Sequence, residues 1–302
     1  MKKNTLAKNL RTEWPLHLFL LPAVILLLIF SYFPMVGILI AFQDYVPSKG
    51  WDIFFKSEWV GLDNFKYIMS MPGFWTAMRN TLTIAILAAV IGTIIGVFFA
   101  MVNYLNKKTG KLKILSKIAN LYITIIRGTP VVLQLFILYF VVFASWNFDD
   151  IEIGIITINV GIIVGAITFG LNSGAYVAEI ARAGFESVDD GQMEAGRSLG
   201  LSTGQTMWHI VIPQAVKNCL PPLFNEFITL VKETAIVGYV GIMDLGKIPG
   251  LIQSRTFDYL FPLLIAAVMY LVVVLILTRI LHILEKKMAK SDRNNGGAAN
   301  GK

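Results

Sequence analysis

Residues 18–42 carry no Asp, Glu, Lys, Arg or His, and a run of that length is the strongest constraint this chain places on its own folding. At 1.5 Å of rise per residue, about 20 apolar residues suffice to cross a hydrocarbon layer of roughly 30 Å. Further apolar runs occupy residues 81–102, 131–143, 153–177 and 260–278, and one with embedded charges occupies 220–240. The expectation is an all-α, polytopic transmembrane bundle of about six spans. Composition agrees, with 56% hydrophobic and 15% charged residues, where soluble domains carry roughly a quarter charged.

The first run follows Lys2, Lys3, Lys8 and Arg11, as a signal peptide would, but it exceeds the length of a signal-peptide core and no small-residue cleavage site follows it. It reads as a retained span. Lys and Arg accumulate in cytoplasmic loops. Placing the N-terminus inside assigns seventeen basic residues to the inner side (within 1–15, 104–117, 182–210 and 279–302) and five to the outer (Lys49, Lys56, Lys66, Lys247 and Arg255). Both termini are therefore expected in the cytoplasm of a plasma-membrane protein. The net charge of +7 is explained by this bias and calls for no nucleic acid.

The outer loop 43–76 is rich in aromatic residues that suit a membrane interface, among them Tyr45, Trp51, Phe54, Phe55, Trp59, Phe65, Tyr67 and Trp75. Gly92/Gly96 and Gly161/Gly165 are pairs that let helix backbones approach closely. Arg127-Gly128-Thr129-Pro130 interrupts the third run, and proline removes a donor while disfavouring a helical residue before it, so a break is expected at Thr129, near the cytoplasmic face. The segment from Ser291 has little to bury and is expected to be disordered. Cys219 forms no internal disulfide, being the single cysteine. His17, His209 and His282 are scattered without metal-ligand spacing, and no nucleophile constellation is evident, so no metal or catalytic residue is assigned.

A polar island lies between the fourth and fifth runs. Asp189 or Asp190 can cap a short helix over about 192–199, and Gly200 suits the left-handed residue beyond its end. Ser202-Thr203-Gly204-Gln205 has the form of a capping box, opening a second helix that leads through Pro213 towards the next span. An amphipathic interfacial loop would account for such a segment. Its spacing goes further: Glu194-Ala195-Gly196, then Gly200, Ile210 and Ile212-Pro213 resemble the E-A-A, G, I, L-P pattern on a cytoplasmic loop of ATP-binding-cassette (ABC) importer permeases, departing at Gly196 and Ile212. The resemblance implies a type I importer permease fold, with Glu194, Ala195, Gly196, Gly200, Ile210 and Pro213 on a helix that couples to a separate ATPase. That ATPase would bind the ATP and Mg.

Residues 77–285 resemble polar amino-acid permeases through Arg79-Asn80-Thr81-Leu82, the stretch from Ile126 to Phe136, that from Ser173 to Ile180 and that from Asn225 to Thr234. The front resembles carbohydrate permeases through Leu20-Leu21-Pro22-Ala23, Tyr32-Phe33-Pro34-Met35 and Val60-Gly61-Leu62-Asp63-Asn64-Phe65. Expected regions are therefore a basic N-terminus (1–15), an additional first span with its outer loop (16–76), a permease core (77–285, coupling loop 186–213) and a tail (286–302). The resemblance implies import of a polar amino acid, with a carbohydrate as the alternative and a channel or secondary transporter as a reading from another class. It also implies ATPase subunits, a second permease and an extracytoplasmic solute-binding protein as partners.

Glu226, Lys232 and Glu233 lie within the fifth run, where an isolated charge costs roughly 2.5 to 3.5 kcal/mol at the helix centre. Glu226 and Glu233 are two turns apart on nearly one face, with Lys232 displaced by about 100 degrees. They are candidates to line the transport pathway, with helix–helix ion pairing or interfacial placement as the structural alternative. Gly241-Ile242-Met243-Asp244-Leu245-Gly246-Lys247 imitates a P-loop, but Ile248 stands where magnesium would need Ser or Thr, and the segment is expected outside. It is not read as a nucleotide site.

Overall fold

A computed structural model describes residues 3–44, 56–145, 150–153 and 156–299. The described residues are almost wholly helical, and they divide into two compact units, residues 1–71 with 252–269, and 72–251 with 270–302. The division therefore falls a few residues before the expected core boundary, and the first part of the last span groups with the front.

In the first unit, α1 (Lys3–Leu27) continues through a π-helical turn, a further α turn and a 3-10 segment to Phe42. Its described side chains between Trp14 and Val36 are exposed; Phe19 is 85% and Phe30 72% exposed, as lipid-solvated side chains should be. Order returns at its far end. Ile40 and Ala41 are buried, and Asn64 at the start of α2 (Asp63–Ser70) donates to the carbonyls of Ala41 and Gln43 at 3.1 and 3.0 Å. Phe42 and Phe65 stack beside this contact with ring centres 5.1 Å apart. Of the aromatic outer loop, residues 45–55 lie outside the described residues.

The second unit is built on α3 (Phe74–Thr109), which ends at Gly110 with φ of 70°. Only three residues separate it from α4 (Lys113–Arg127), so most of the expected loop 104–117 is helix. The chain breaks at Gly128-Thr129-Pro130 and resumes as α5 (Val131–Ile137) with a π-helical turn to Val142, at 103° to α4. Pro130 holds the extended conformation that a helix N-terminus accepts from a residue with no N–H.

The fourth crossing starts later than its apolar run suggests. Residues Ile151–Ile153 (β1) and Ile156–Ile158 (β2) pair antiparallel, and α6 (Val160–Glu186) begins only after Asn159, whose side chain accepts from the Gly161 N–H at 2.9 Å. β-branched residues at alternate positions favour a strand, and the Asn cap sets the helix start.

α7 (Asp190–Ser198) is followed by one long bent helix from Thr203 to Val240, whose middle is α8 (Ile212–Glu233). α9 (Ile248–Thr256) and α10 (Leu260–Ala299) complete the chain. Four helices are long and apolar enough to cross a membrane, and the two bent pairs bring the number to six. Residues 291–299 are helical rather than disordered: extending a helix already nucleated in its apolar part is far easier than starting one.

α3 and α6 form the backbone of this unit and run parallel, with Gly92 against Ser173, Gly96 against Val177 and Gly170 against Ile91. Around them Ile84, Ala88, Leu135, Phe169, Leu230 and Val237 bury fully.

The P-loop-like segment is folded around Asp244. This carboxylate is fully buried and accepts from the N–H groups of Gly246 and Lys247 at 2.8 and 3.1 Å and from the Tyr270 hydroxyl at 3.3 Å. Thr81 Oγ1 receives the Leu245 N–H at 3.1 Å, Asn80 donates to the Met243 carbonyl at 2.8 Å, and Lys247 Nζ donates to the Gly241 carbonyl at 2.7 Å. The donors that would cradle a phosphate are thus satisfied internally. We expect Asp244→Ala to destabilise the detergent-solubilised protein by about 1 to 3 kcal/mol per stranded donor, read as a lowered unfolding temperature, with Asp244→Asn less affected because it retains an acceptor.

Candidate functional site

Asp189 is the cap of α7, accepting from the Gly191 N–H at 2.7 Å. At the other end the Leu201 N–H reaches the Gly196 carbonyl at 3.2 Å and the Gly200 N–H that of Arg197 at 3.0 Å. Those two bonds define a Schellman ending, with Gly200 at φ of 85° as the left-handed residue. Ser202 and Gln205 make the reciprocal capping box, at 2.8 and 3.3 Å. The expected caps are all present.

The second helix is not a separate short element, however. It runs through a π-helical turn at Met207–Val211 into α8 without stopping. Pro213 removes one helical donor, and the widened turn before it accommodates the loss.

Gly196 is the inward residue of α7: a Cβ there would sit 2.5 Å from Thr206 Cγ2 and 3.0 Å from Ile210 Cδ1. Glycine in place of the pattern's alanine therefore lets α7 lie directly on the second helix. Glu194, Ala195, Gly200 and Pro213 are exposed, and Ile210 is half-buried. Two large apolar side chains flank them in the open, Leu199 at 81% and Trp208 at 69% exposure.

Ion pairs tie this segment to the end of α3. Lys108 meets Asp190 at 2.7 Å and Lys107 meets Glu186 at 2.9 Å. The Lys108 ammonium holds the Asp190 carboxyl below the usual carboxylate range. A depressed folded-state value means that the attachment is complete above the ordinary aspartate range and is lost as pH falls from that range through the depressed value. Hydrogen-exchange protection of α7 should accordingly decline on acidification and with added salt, and Lys108→Ala should flatten both dependences.

A second polar cluster lies deep in the same unit. Glu226 Oε1 accepts from Ser173 Oγ at 2.8 Å. Next along α6, Asn172 donates to Gln134 Oε1 at 3.0 Å, and Gln134 Nε2 donates to the Ile126 carbonyl and to Thr129 Oγ1, each at 2.8 Å. The Arg127 guanidinium lies 5.3 Å from the centre of the Tyr176 ring. Tyr122 of α4 donates its hydroxyl to the Leu171 carbonyl.

Ser173 faces Gly92, the middle of the 36-residue α3, roughly 27 Å from either end of that helix. The break after Arg127 follows the 15 residues of α4, about 22 Å of rise.

Of the three expected pathway residues, Glu226 is in this cluster and half-buried, Glu233 is half-buried two turns on, and Lys232 is exposed. Arg127, Gln134, Asn172, Ser173 and Tyr176 were not singled out as site residues by sequence reasoning. Adjacent Asn172 and Ser173 inside an apolar run were the available signal.

Four helices long and apolar enough to cross a membrane, with two bent pairs beside them, define a multi-pass membrane protein. Residues 92–290 match the model of the binding-protein-dependent transport system inner membrane component, and the chain belongs to that family, as the permease of an ABC importer. It is a transport component rather than an enzyme.

The chain is 40% identical over 211 residues, 70% of its own length and 90% of the relative's, to a putative glutamine transport system permease protein of Rickettsia bellii. It is also similar to the crystal structure of an amino acid ABC transporter, at 36% identity with a TM-score of 0.63, over 74% of this chain and 97% of that one. A bacterial ABC transporter for alginate matches 94% of this chain and 99% of its own at a TM-score of 0.69 and 18% identity, a likeness of fold that extends over the front.

Proposed function

We propose that this chain, with a second permease subunit that is a copy or a homologue, encloses a path by which a polar amino acid crosses the bacterial plasma membrane. A solute-binding protein on the outer side delivers the amino acid, and a pair of ATPase subunits, which bind the ATP and Mg, drive the passage. Both termini and the Glu194 segment lie on the cytoplasmic side, where the basic residues concentrate.

One observation carries the reading: α7 and the start of the helix after it, each capped at its N-terminus and joined by the Gly200 turn, leave Leu199 and Trp208 uncovered. Exposed apolar side chains on a rigid polar helix suit insertion into a partner's groove. Glu194, Ala195, Gly196, Gly200, Ile210 and Pro213 form this coupling surface, and Glu226, Lys232 and Glu233 line or brace the path. Amino acid as cargo is supported by the 36–40% identity of core relatives whose names carry that substrate. Carbohydrate is favoured only by the front, where the alginate transporter is alike in fold.

Co-expression with the neighbouring ATPase and reconstitution with the binding protein tests the whole. ATP-dependent uptake of radiolabelled amino acids, unaffected by oligosaccharides, is expected. Uptake that needs no ATPase overturns the importer reading, and uptake of sugar alone overturns the cargo. Within it, Glu233→Gln should slow uptake while the ATPase still associates.

A further inference from the structure

We propose that residues 279–287 of α10 bind the phosphate groups of anionic phospholipids in the leaflet where this helix leaves the membrane, through Arg279, His282, Lys286 and Lys287. In the reading above that leaflet is the cytoplasmic one.

Length places these residues at the boundary of the lipid. α10 begins at Leu260 and meets no charged side chain before Arg279. By then it has risen about 28 Å, close to the roughly 30 Å of a hydrocarbon core. A charge at that level stands among headgroups.

The uncovered side of the helix continues through the boundary. Val272, Leu275 and Ile276 are exposed, and Arg279, Ile283 and Lys286 follow them at spacings of three, four and three, which keep to one face of a helix. All three are exposed, as are His282 and Lys287 beside them, whereas Leu281 on the opposite side is buried. The basic groups therefore share a face with the apolar side chains of the preceding turns. A merely solvated helix end has no use for Ile283 among its charges; a surface whose headgroups lie over acyl chains takes both, with the lysine and arginine stems along the apolar part.

These charges are not neutralised from within. Among the described residues no carboxylate pairs with Arg279, Lys286 or Lys287, while Lys107 and Lys108 are taken by Glu186 and Asp190. Glu285, the acid of this stretch, is half-buried and off the stripe.

Arginine offers a planar fork to two phosphate oxygens, and each lysine a point charge. From Arg279 to Lys287 the helix rises about 12 Å, more than one phosphate group spans. A layer of phosphates therefore fits the stripe better than a single soluble anion. Lys290 and Arg293 extend the spacing in sequence, which brings the basic cluster into the range of about four to eight that anionic lipid attracts just beyond a membrane helix.

The test uses the purified full chain in mixed micelles holding equal amounts of phosphatidylglycerol and phosphatidylcholine with the same acyl chains. The lipid retained after affinity capture is quantified by mass spectrometry. Wild type should retain phosphatidylglycerol over phosphatidylcholine by roughly tenfold or more, since each basic residue at an anionic surface contributes about fivefold, and the ratio should shrink as salt rises. Arg279→Gln, Lys286→Gln and Lys287→Gln together should bring it close to unity. Lys286→Gln alone serves if the triple variant fails to fold, and should lower the ratio up to about fivefold.

Lys111→Gln, Lys113→Gln and Lys117→Gln together remove the same charge around the start of α4 and should leave the ratio high. Equal loss in the two triple variants makes the preference a matter of net charge and overturns the site, as does a wild type without preference. Displacement of the lipid by excess inorganic phosphate would give the stripe to a soluble anion, again against the proposal. So would an α10 triple variant that keeps its lipid ratio and loses the ATPase on co-purification, because the stripe would then belong to a protein contact.

Discussion

Gly96→Leu should yield no folded, monodisperse protein after extraction in detergent. A Cβ at this position would lie 2.5 Å from Val177 Cβ and 2.7 Å from the Ala178 backbone nitrogen. Carbon atoms in favourable contact sit about 3.5–4.0 Å apart, and the obstructing atoms here include backbone that no rotamer change can remove. α3 and α6 would have to separate along the axis that carries the buried cluster of Ile84, Ala88 and Phe169. Ordinary overpacking costs about 1–3 kcal/mol, and a clash with backbone exceeds that range. Gly96→Ala should already lower the unfolding temperature. Gly204→Ala is the contrasting change, since a Cβ there meets nothing within 4 Å and alanine is the better helix former. Equal stability of the Gly96→Leu and Gly204→Ala proteins would mean that the α3–α6 approach is not what organises this unit.

The second large effect is expected at Gly200, and it should be functional before it is structural. A Cβ on Gly200 touches nothing within 4 Å, so space is not the obstacle; the backbone is, with φ at 85°. A β-branched residue is a strong outlier there, whereas asparagine tolerates the left-handed region. Gly200→Val should undo the Schellman ending and let α7 swing from Thr206 and Ile210, reducing ATPase co-purification and ATP-driven uptake by tenfold or more. Membrane insertion and the core should survive, because the spans do not depend on that turn. Gly200→Asn should restore much of both activities. Full uptake by the valine variant would remove this segment from the coupling surface.

These two glycines mark different kinds of legibility. Gly200 could be assigned from the sequence because a cap is local: Asp189, Ser202 and Gln205 act on backbone groups two or three residues away, within reach of any pattern read along the chain. Gly92 and Gly96 were recognised as a close-approach pair, but their partners on α6 were not, since 77 or more residues intervene and nothing in a single chain reports which helices meet.

Span boundaries fell between these extremes. Apolar length located the crossings. It could not tell that 151–153 and 156–158 pair as strands before the fourth span, because isoleucine is equally apolar in strand and helix. Nor could it tell that the connection at 110–112 is so short.

The polar cluster shows the same limit in its sharpest form. Glu226 was visible as a charge among apolar neighbours, as was Arg127 beside its proline, yet their contacts with Ser173 and Tyr176 of α6 depend on how α4 and α8 pack against that helix.

Sequence by itself determined that this chain is a bundle of membrane helices with a capped helix of importer type between the fourth and fifth spans. Hydrophobic length, charge bias and caps are properties of neighbouring residues, so they survive without a fold. Only the tertiary structure decided that Gly196 faces inward onto Thr206 and Ile210, that Arg127 lies beside the Tyr176 ring, and that Glu226 accepts from Ser173. Those facts come from packing between segments distant in the chain, where the closest approach of two helices is set by which side chains are missing.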